Sequence, residues 1–152
     1  MPESASARFL KRAEQYLKQT RYKEALATIE RALALDPKST AGYTLRAATR
    51  IELDEYAAAV ADCDRALALN PNHADAWSKK ALALYQLGQY VPALAASTRA
   101  VTLDANDAAA WYIRGICLEE LGKSAEAEVA YAKSLELEIL LDIKHESKNI
   151  RR

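Results

Sequence analysis

Three stretches of this chain are near copies of one another: residues 31–37 read RALALDP, residues 65–71 read RALALNP and residues 99–105 read RAVTLDA. Each begins 34 residues after the one before, and a more divergent fourth copy, KSLELEI, fills 133–139 at the same interval. Other columns keep the same step. One holds Phe9, Tyr43, Trp77 and Trp111, another Ala25, Ala59, Ala93 and Ala127, and a third Tyr22, Tyr56 and Tyr90, closed by Ser124. A period of this length accommodates two helices of about 14 residues and two short turns. The expected units are 6–39, 40–73, 74–107 and 108–141, one helical hairpin each, followed by a helical extension and tail over 142–152.

Composition agrees with helices. Ala and Leu dominate the 51% of hydrophobic residues, Gly and Pro number four each, and no β-branched run interrupts the pattern. In the second unit Tyr43, Ala47 and Arg50 form one stripe at helical spacing, and Tyr56, Ala59, Cys63, Ala66 and Leu67 form another. Ala13, Ala47, Ala81 and Gly115 are small where the two helices of a hairpin must approach, and the large aromatics fill the space beside them. Gly88 and Gly122 suit left-handed turn positions; Asp54 tolerates that role, and Thr20 suits it less well. Pro37 and Pro71 end second helices, Pro92 falls in a first turn, and Ser39 and Asp107 are expected N-caps.

The pattern resembles the tetratricopeptide repeat family. The second unit carries Tyr43, Ala47, Ala59, Cys63, Ala66 and Pro71 at the family's signature offsets. The third carries Trp77, Ala81, Ala93, Ser97 and Ala100, with Ala105 in place of proline. The fourth carries Trp111, Gly115, Ala127, Tyr131 and Ser134, with Ile139 in place of proline. The resemblance implies an all-α fold: an α-solenoid, a right-handed superhelix of four helix-turn-helix hairpins with an extended C-terminal helix, making one domain over 1–152. It also implies that the first helices line a concave groove that binds a protein or peptide partner.

Carried over residue by residue, the groove positions are Leu10, Lys11, Glu14, Leu17 and Lys18 in the first unit. The second unit supplies Thr44, Leu45, Ala48, Ile51 and Glu52. The third supplies Asp75, Ser78, Lys79, Leu82, Tyr85 and Gln86, and the fourth Tyr112, Ile113, Ile116, Glu119 and Glu120. Leu45, Ala48, Lys79, Leu82, Tyr85, Tyr112, Ile113 and Ile116 are the expected peptide-binding set, centred on units two to four. The competing reading is that the apolar members complete packing between hairpins.

One family use is a clamp of Lys, Asn, Asn, Lys and Arg around a C-terminal carboxylate. Here those positions hold Leu10, Glu14, Leu45, Asp75 and Lys79, or, one repeat on, Thr44, Ala48, Lys79, Ala109 and Ile113. Lys79 alone has the right charge, and gripping a carboxylate needs several donors, so a clamp is not expected.

The last helix lacks a terminating proline. Leu137, Ile139, Leu140, Leu141 and Ile143 make it broadly apolar, where a terminal repeat ordinarily presents a polar face. It could cap its own stack, pair with a second copy as a homodimer, or await a further helix of a longer chain. The basic KHESKNIRR at 144–152 reads as a solvated, frayed tail.

No enzyme is expected. His73 and His145 have no ligand partners at metal spacing, no glycine-rich phosphate loop exists, and Asp62 and Asp64 read as solvated helix faces. Cys63 and Cys117 read as small buried hydrophobes, and no cofactor is implied. Lys plus Arg equal Asp plus Glu at 21 each, which gives no global field for nucleic acid. No apolar run is long enough for membrane insertion, and residues 1–7 lack a signal-peptide core, so a cytoplasmic location is expected. An adaptor or scaffold leads; a small dedicated chaperone for a secreted or membrane client and a self-associating structural protein are the alternatives.

Overall fold

The computed structural model describes residues 1–150, and the side chains of 1–149. Arg151 and Arg152, the end of the expected basic tail, lie outside the described residues. Among the described residues eight helices follow in chain order: α1 (Ala5–Lys18), α2 (Tyr22–Leu35), α3 (Thr40–Glu52), α4 (Tyr56–Leu69), α5 (Ala74–Gln86), α6 (Tyr90–Leu103), α7 (Ala108–Glu120) and α8 (Ser124–Ile150). The second helices begin at Tyr22, Tyr56, Tyr90 and Ser124, so the period of the sequence is also the period of the structure. No strand occurs among the described residues. The tail expected to fray is helical instead as far as Ile150.

Within each hairpin the turn is the same device. Thr20, Asp54, Gly88 and Gly122 all have positive φ, from 57° to 76°. The next residue then donates its N–H to a carbonyl five residues back: Arg21 to Tyr16, Glu55 to Arg50, Gln89 to Leu84 and Lys123 to Leu118, at 2.8–2.9 Å. This bond satisfies a carbonyl that the helix end would otherwise leave free. Thr20 adopts the left-handed conformation although its branched side chain disfavours it.

Between hairpins the aromatic column ties down the preceding turn. The Tyr43 hydroxyl donates to the Pro37 carbonyl at 2.9 Å, Trp77 Nε1 to Pro71 at 2.8 Å and Trp111 Nε1 to Ala105 at 2.9 Å. Ser39 and Asp107 cap α3 and α7 through their side chains, accepting from Gly42 and Ala110.

Packing explains the small residues. A Cβ on Gly115 would lie 2.6 Å from the Tyr131 ring, so the tyrosine in this hairpin requires the glycine. The other hairpins pair Ala13 with Ile29, Ala47 with Cys63 and Ala81 with Ser97 at the same columns. A second small column, Gly42, Ala76 and Ala110, seats each first helix against the preceding hairpin. A Cβ on Gly42 would meet Leu33 at 2.6 Å. The member of this column in α1 is Arg8, which is exposed.

The apolar partners of that column are Leu33, Leu67 and Val101, which retain 7%, 8% and 7% exposure, whereas their counterpart Leu135 in α8 is 58% exposed. Burying such a side chain contributes roughly 1.5–3 kcal/mol. Leu137, expected on an open apolar face, is instead buried on the side of α8 that packs against α7. Ile139, Leu140, Leu141 and Ile143 are exposed as expected.

Asp62 corrects another expectation. It is fully buried rather than solvated. Arg46 donates Nε to both its oxygens at 3.1 and 3.0 Å and Nη2 to Oδ1 at 2.7 Å, and Arg50 donates Nη1 to Oδ2 at 2.7 Å. Donation of these hydrogen bonds to Asp62 holds the Arg46 pKa above its ordinary value. Arg50 Nε is buried without a hydrogen-bond partner; Glu55 Oε2 lies 3.8 Å from it. Cys63 and Cys117 are buried free thiols, as the sequence implies.

A candidate peptide-binding groove

First helices touch one another along the stack, α1 with α3, α3 with α5 and α5 with α7, while no two second helices do. The inner layer is therefore α1, α3, α5 and α7, and the groove positions lie on it. A cleft of about 540 Å³ opens across α1, α3 and α5. Leu10, Leu45 and Ala48 give it an apolar floor; Glu14, Asp75 and Lys79 stand around it. Lys79 Nζ is 2.7 Å from Asp75 Oδ1, so the one cation of the cleft is already engaged. A smaller cleft of about 190 Å³, lined by Leu17, Tyr22, Ala48 and Glu52, adjoins it through Ala48. Desolvation and the Glu52 carboxylate raise the Tyr22 hydroxyl above its usual pKa.

Of the expected binding residues, Leu45, Ala48 and Lys79 meet in the larger cleft. Leu82 and Tyr85 do not line it; both are half-buried against the core between the third and fourth hairpins. Burial and then Glu120 raise the Tyr85 pKa, and its ring packs at 5.5 Å on Tyr90. Tyr112 is exposed, with its ring 5.7 Å from that of Tyr131, whose hydroxyl donates to Glu119 at 2.6 Å. Ile116 is half-buried. Ile113 is a correction: at 5% exposure it belongs to the core with Ala81, Leu84 and Cys117. Tyr112 and Ile113 are helical neighbours about 100° apart, so one facing outward sends the other inward.

The larger of these two clefts thus spans hairpins one to three, whereas the expected set is centred on two to four. Thr40, Ala41, Asn70 and His73, all at or just before the starts of α3 and α5, also line it. These four stand off the helix-face positions that the repeat pattern marks as groove, and their place beside a helix N-terminus or inter-hairpin turn is the sequence signal for them.

All five positions of the carboxylate clamp in the first register, Leu10, Glu14, Leu45, Asp75 and Lys79, converge on this one cleft. Its lining joins apolar residues and small polar ones to two acids and one lysine, not to the several cationic and amide donors of a clamp. Among the described residues no group of three or more His, Cys, Asp or Glu could hold a metal. No helix there is long and apolar enough to cross a membrane.

Comparison with known proteins fits this geometry. A tetratricopeptide repeat model matches residues 10–74, and a model described as anaphase-promoting complex, cyclosome, subunit 3 matches residues 55–134. The chain belongs to the tetratricopeptide repeat family. No curated protein sequence matches it significantly. Among solved structures, the tetratricopeptide stack is similar to a crystal structure of MamA, with 25% identity over 91% of this chain and 81% of that one and a TM-score of 0.79. It is also similar to the first tetratricopeptide domain of Spaghetti (RPAP3) bound to the HSP90 peptide SRMEEVD, with 26% identity over 77% of this chain and 93% of that one and a TM-score of 0.75. The corresponding human RPAP3 domain has 25% identity over 79% of this chain and 94% of that one, with a TM-score of 0.75. Family and fold make the tetratricopeptide stack a protein-interaction module, and neither matching model describes a catalytic domain.

Proposed function

We propose that the four hairpins act as one cytoplasmic adaptor or scaffold domain, non-catalytic, that seats an apolar or amphipathic peptide segment on the concave face without a carboxylate clamp. The observation that carries this reading is the cleft floored by Leu10, Leu45 and Ala48, whose single cation is paired within the cleft. A groove of this kind suits an extended segment or one helix face, with alternate side chains reaching the floor. Tyr112 and Ile116 extend the apolar surface along α7. The test replaces Ala48, and separately the exposed Ala41, by Trp and compares the proteins captured from the native cell with those held by the unaltered chain. Partners retained by both Trp variants, at unchanged helical content, would remove the groove from the explanation.

Self-association through the C-terminal helix is a second reading, supported by the exposure of Leu135 where Leu33, Leu67 and Val101 are covered. A second copy would meet α8 with its own α8. End-to-end stacking would place Arg8 in the column where covered interfaces hold Gly42, Ala76 and Ala110. Pairing of α8 with α8 is isologous and closes at a dimer. Light scattering tests it: a monomeric mass at every concentration, unchanged by Ile139→Glu with Ile143→Glu, rejects the dimer.

A further inference from the structure

We infer that the segment seated in the groove is basic as well as apolar, a peptide with Lys or Arg spaced between large aliphatic residues. The inference rests on the groove reading and adds the sign of the partner's charge. Overall the chain is neutral, with 21 acidic and 21 basic side chains, yet its concave face is not. Glu14 and Asp75 stand in the larger cleft and Glu52 in the smaller one that continues it. Glu119 and Glu120 follow on α7, both exposed. Set against them at the groove positions are three lysines. Lys79 and Asp75 offset each other at 2.7 Å and Lys11 is drawn to Glu3 at 2.7 Å, which leaves Lys18 at the end of α1 against Glu14, Glu52, Glu119 and Glu120.

Geometry turns that imbalance into a preference. The acids rise beside an apolar floor, so a bound segment must satisfy both at once. A lysine or arginine does so within one residue: its stem covers Leu10 or Leu45 while its charge reaches Glu14 or Glu52. Alternate residues of an extended segment point to opposite sides, so aliphatic and basic positions can each find their surface. An acidic segment such as SRMEEVD, the peptide held by the RPAP3 domain, would instead bring like charges to Glu14 and Glu52.

The experiment uses two synthetic peptides capped at both ends, one alternating Leu and Lys and one alternating Leu and Glu, with binding followed by fluorescence anisotropy. The basic peptide is expected to bind about tenfold or more tightly at low ionic strength, with the difference shrinking as salt is added. Replacing the exposed Glu14 and Glu52 together by Lys is expected to invert the ranking without loss of helical content. Equal or tighter binding of the acidic peptide, or a ranking that survives the double reversal, overturns the inference. Ala48→Trp and Ala41→Trp separate the two levels. Peptides that bind the native chain equally and are released by the Trp variants leave the groove standing and reject the charge preference. Peptides that bind the Trp variants unchanged, or fail to bind at all, reject both.

Discussion

Asp62→Ala should destabilise this protein more than most single substitutions, because it leaves two guanidinium groups facing each other in a site built for one carboxylate. Asp62 accepts from both Arg46 and Arg50 and is wholly shielded from water. Removing one partner from a buried ionic group costs about 3–5 kcal/mol. The Arg46 and Arg50 side chains keep 14% and 20% exposure, so each can turn part of its charge to water. That argues for the lower end, about 3 kcal/mol. For a chain of this size the melting temperature should fall by about 6–12 °C. The chain contains its own control. At the same three columns the third hairpin has Lys80, Leu84 and Ala96, and the fourth Arg114, Leu118 and Ala130. Arg50→Leu with Asp62→Ala imports that apolar solution, and its stability should return to within about 1 kcal/mol of the native chain. Urea unfolding followed by circular dichroism measures both variants, with a common slope showing that the denatured state is unchanged. The reasoning is wrong if Asp62→Ala is neutral or if the double variant is no more stable than the single one.

Gly115→Ala should lower stability by about 1–3 kcal/mol despite its better helix propensity, because the new methyl meets the Tyr131 ring at 2.6 Å; Tyr131→Cys in that background should relieve the clash, and thermal melts of the pair decide. Burial pushes the Cys63 thiol up to about 12 and the Cys117 thiol up to about 11. Both should resist iodoacetamide at neutral pH until the protein is unfolded; labelling at the rate of a free thiol would contradict this. These thiols keep their protons in the folded state and lose them more readily when unfolded. Their contribution to stability is therefore full below pH 9 and declines as pH rises through 11 to 12, which urea titrations across that range would detect.

The hairpins were legible because a strict period puts the same small, aromatic and turn residues at the same geometric stations. Thr20 and Asp54 could be placed in left-handed turns simply because Gly88 and Gly122 share their column. What the period could not show is pairing that only one repeat makes. Asp62 looked solvated among other charges, since nothing along the chain says that Arg46 and Arg50, on the facing helix, both reach it. Ile113 and Leu137 were misplaced for a different reason: broad apolar stripes hide which residue turns inward, and packing decides between near neighbours. The groove was legible as a face, through Leu45, Ala48 and Lys79, but the contribution of Asn70 and His73 depends on how one hairpin's turn overhangs the next.

The small column that runs through Gly42, Ala76 and Ala110 also gives the stack a direction of growth. A fifth hairpin with alanine at that station could seat on Leu135 once α8 is ended at Leu137 by a turn like those after Leu35, Leu69 and Leu103, recovering a seam like the three already present. The same hairpin offered to the other end would meet Arg8, whose long side chain stands where a seam tolerates little more than a hydrogen or a methyl group. Lengthening this protein by design thus asks for different work at its two ends: a new turn after Leu137 at one, and Arg8→Ala at the other.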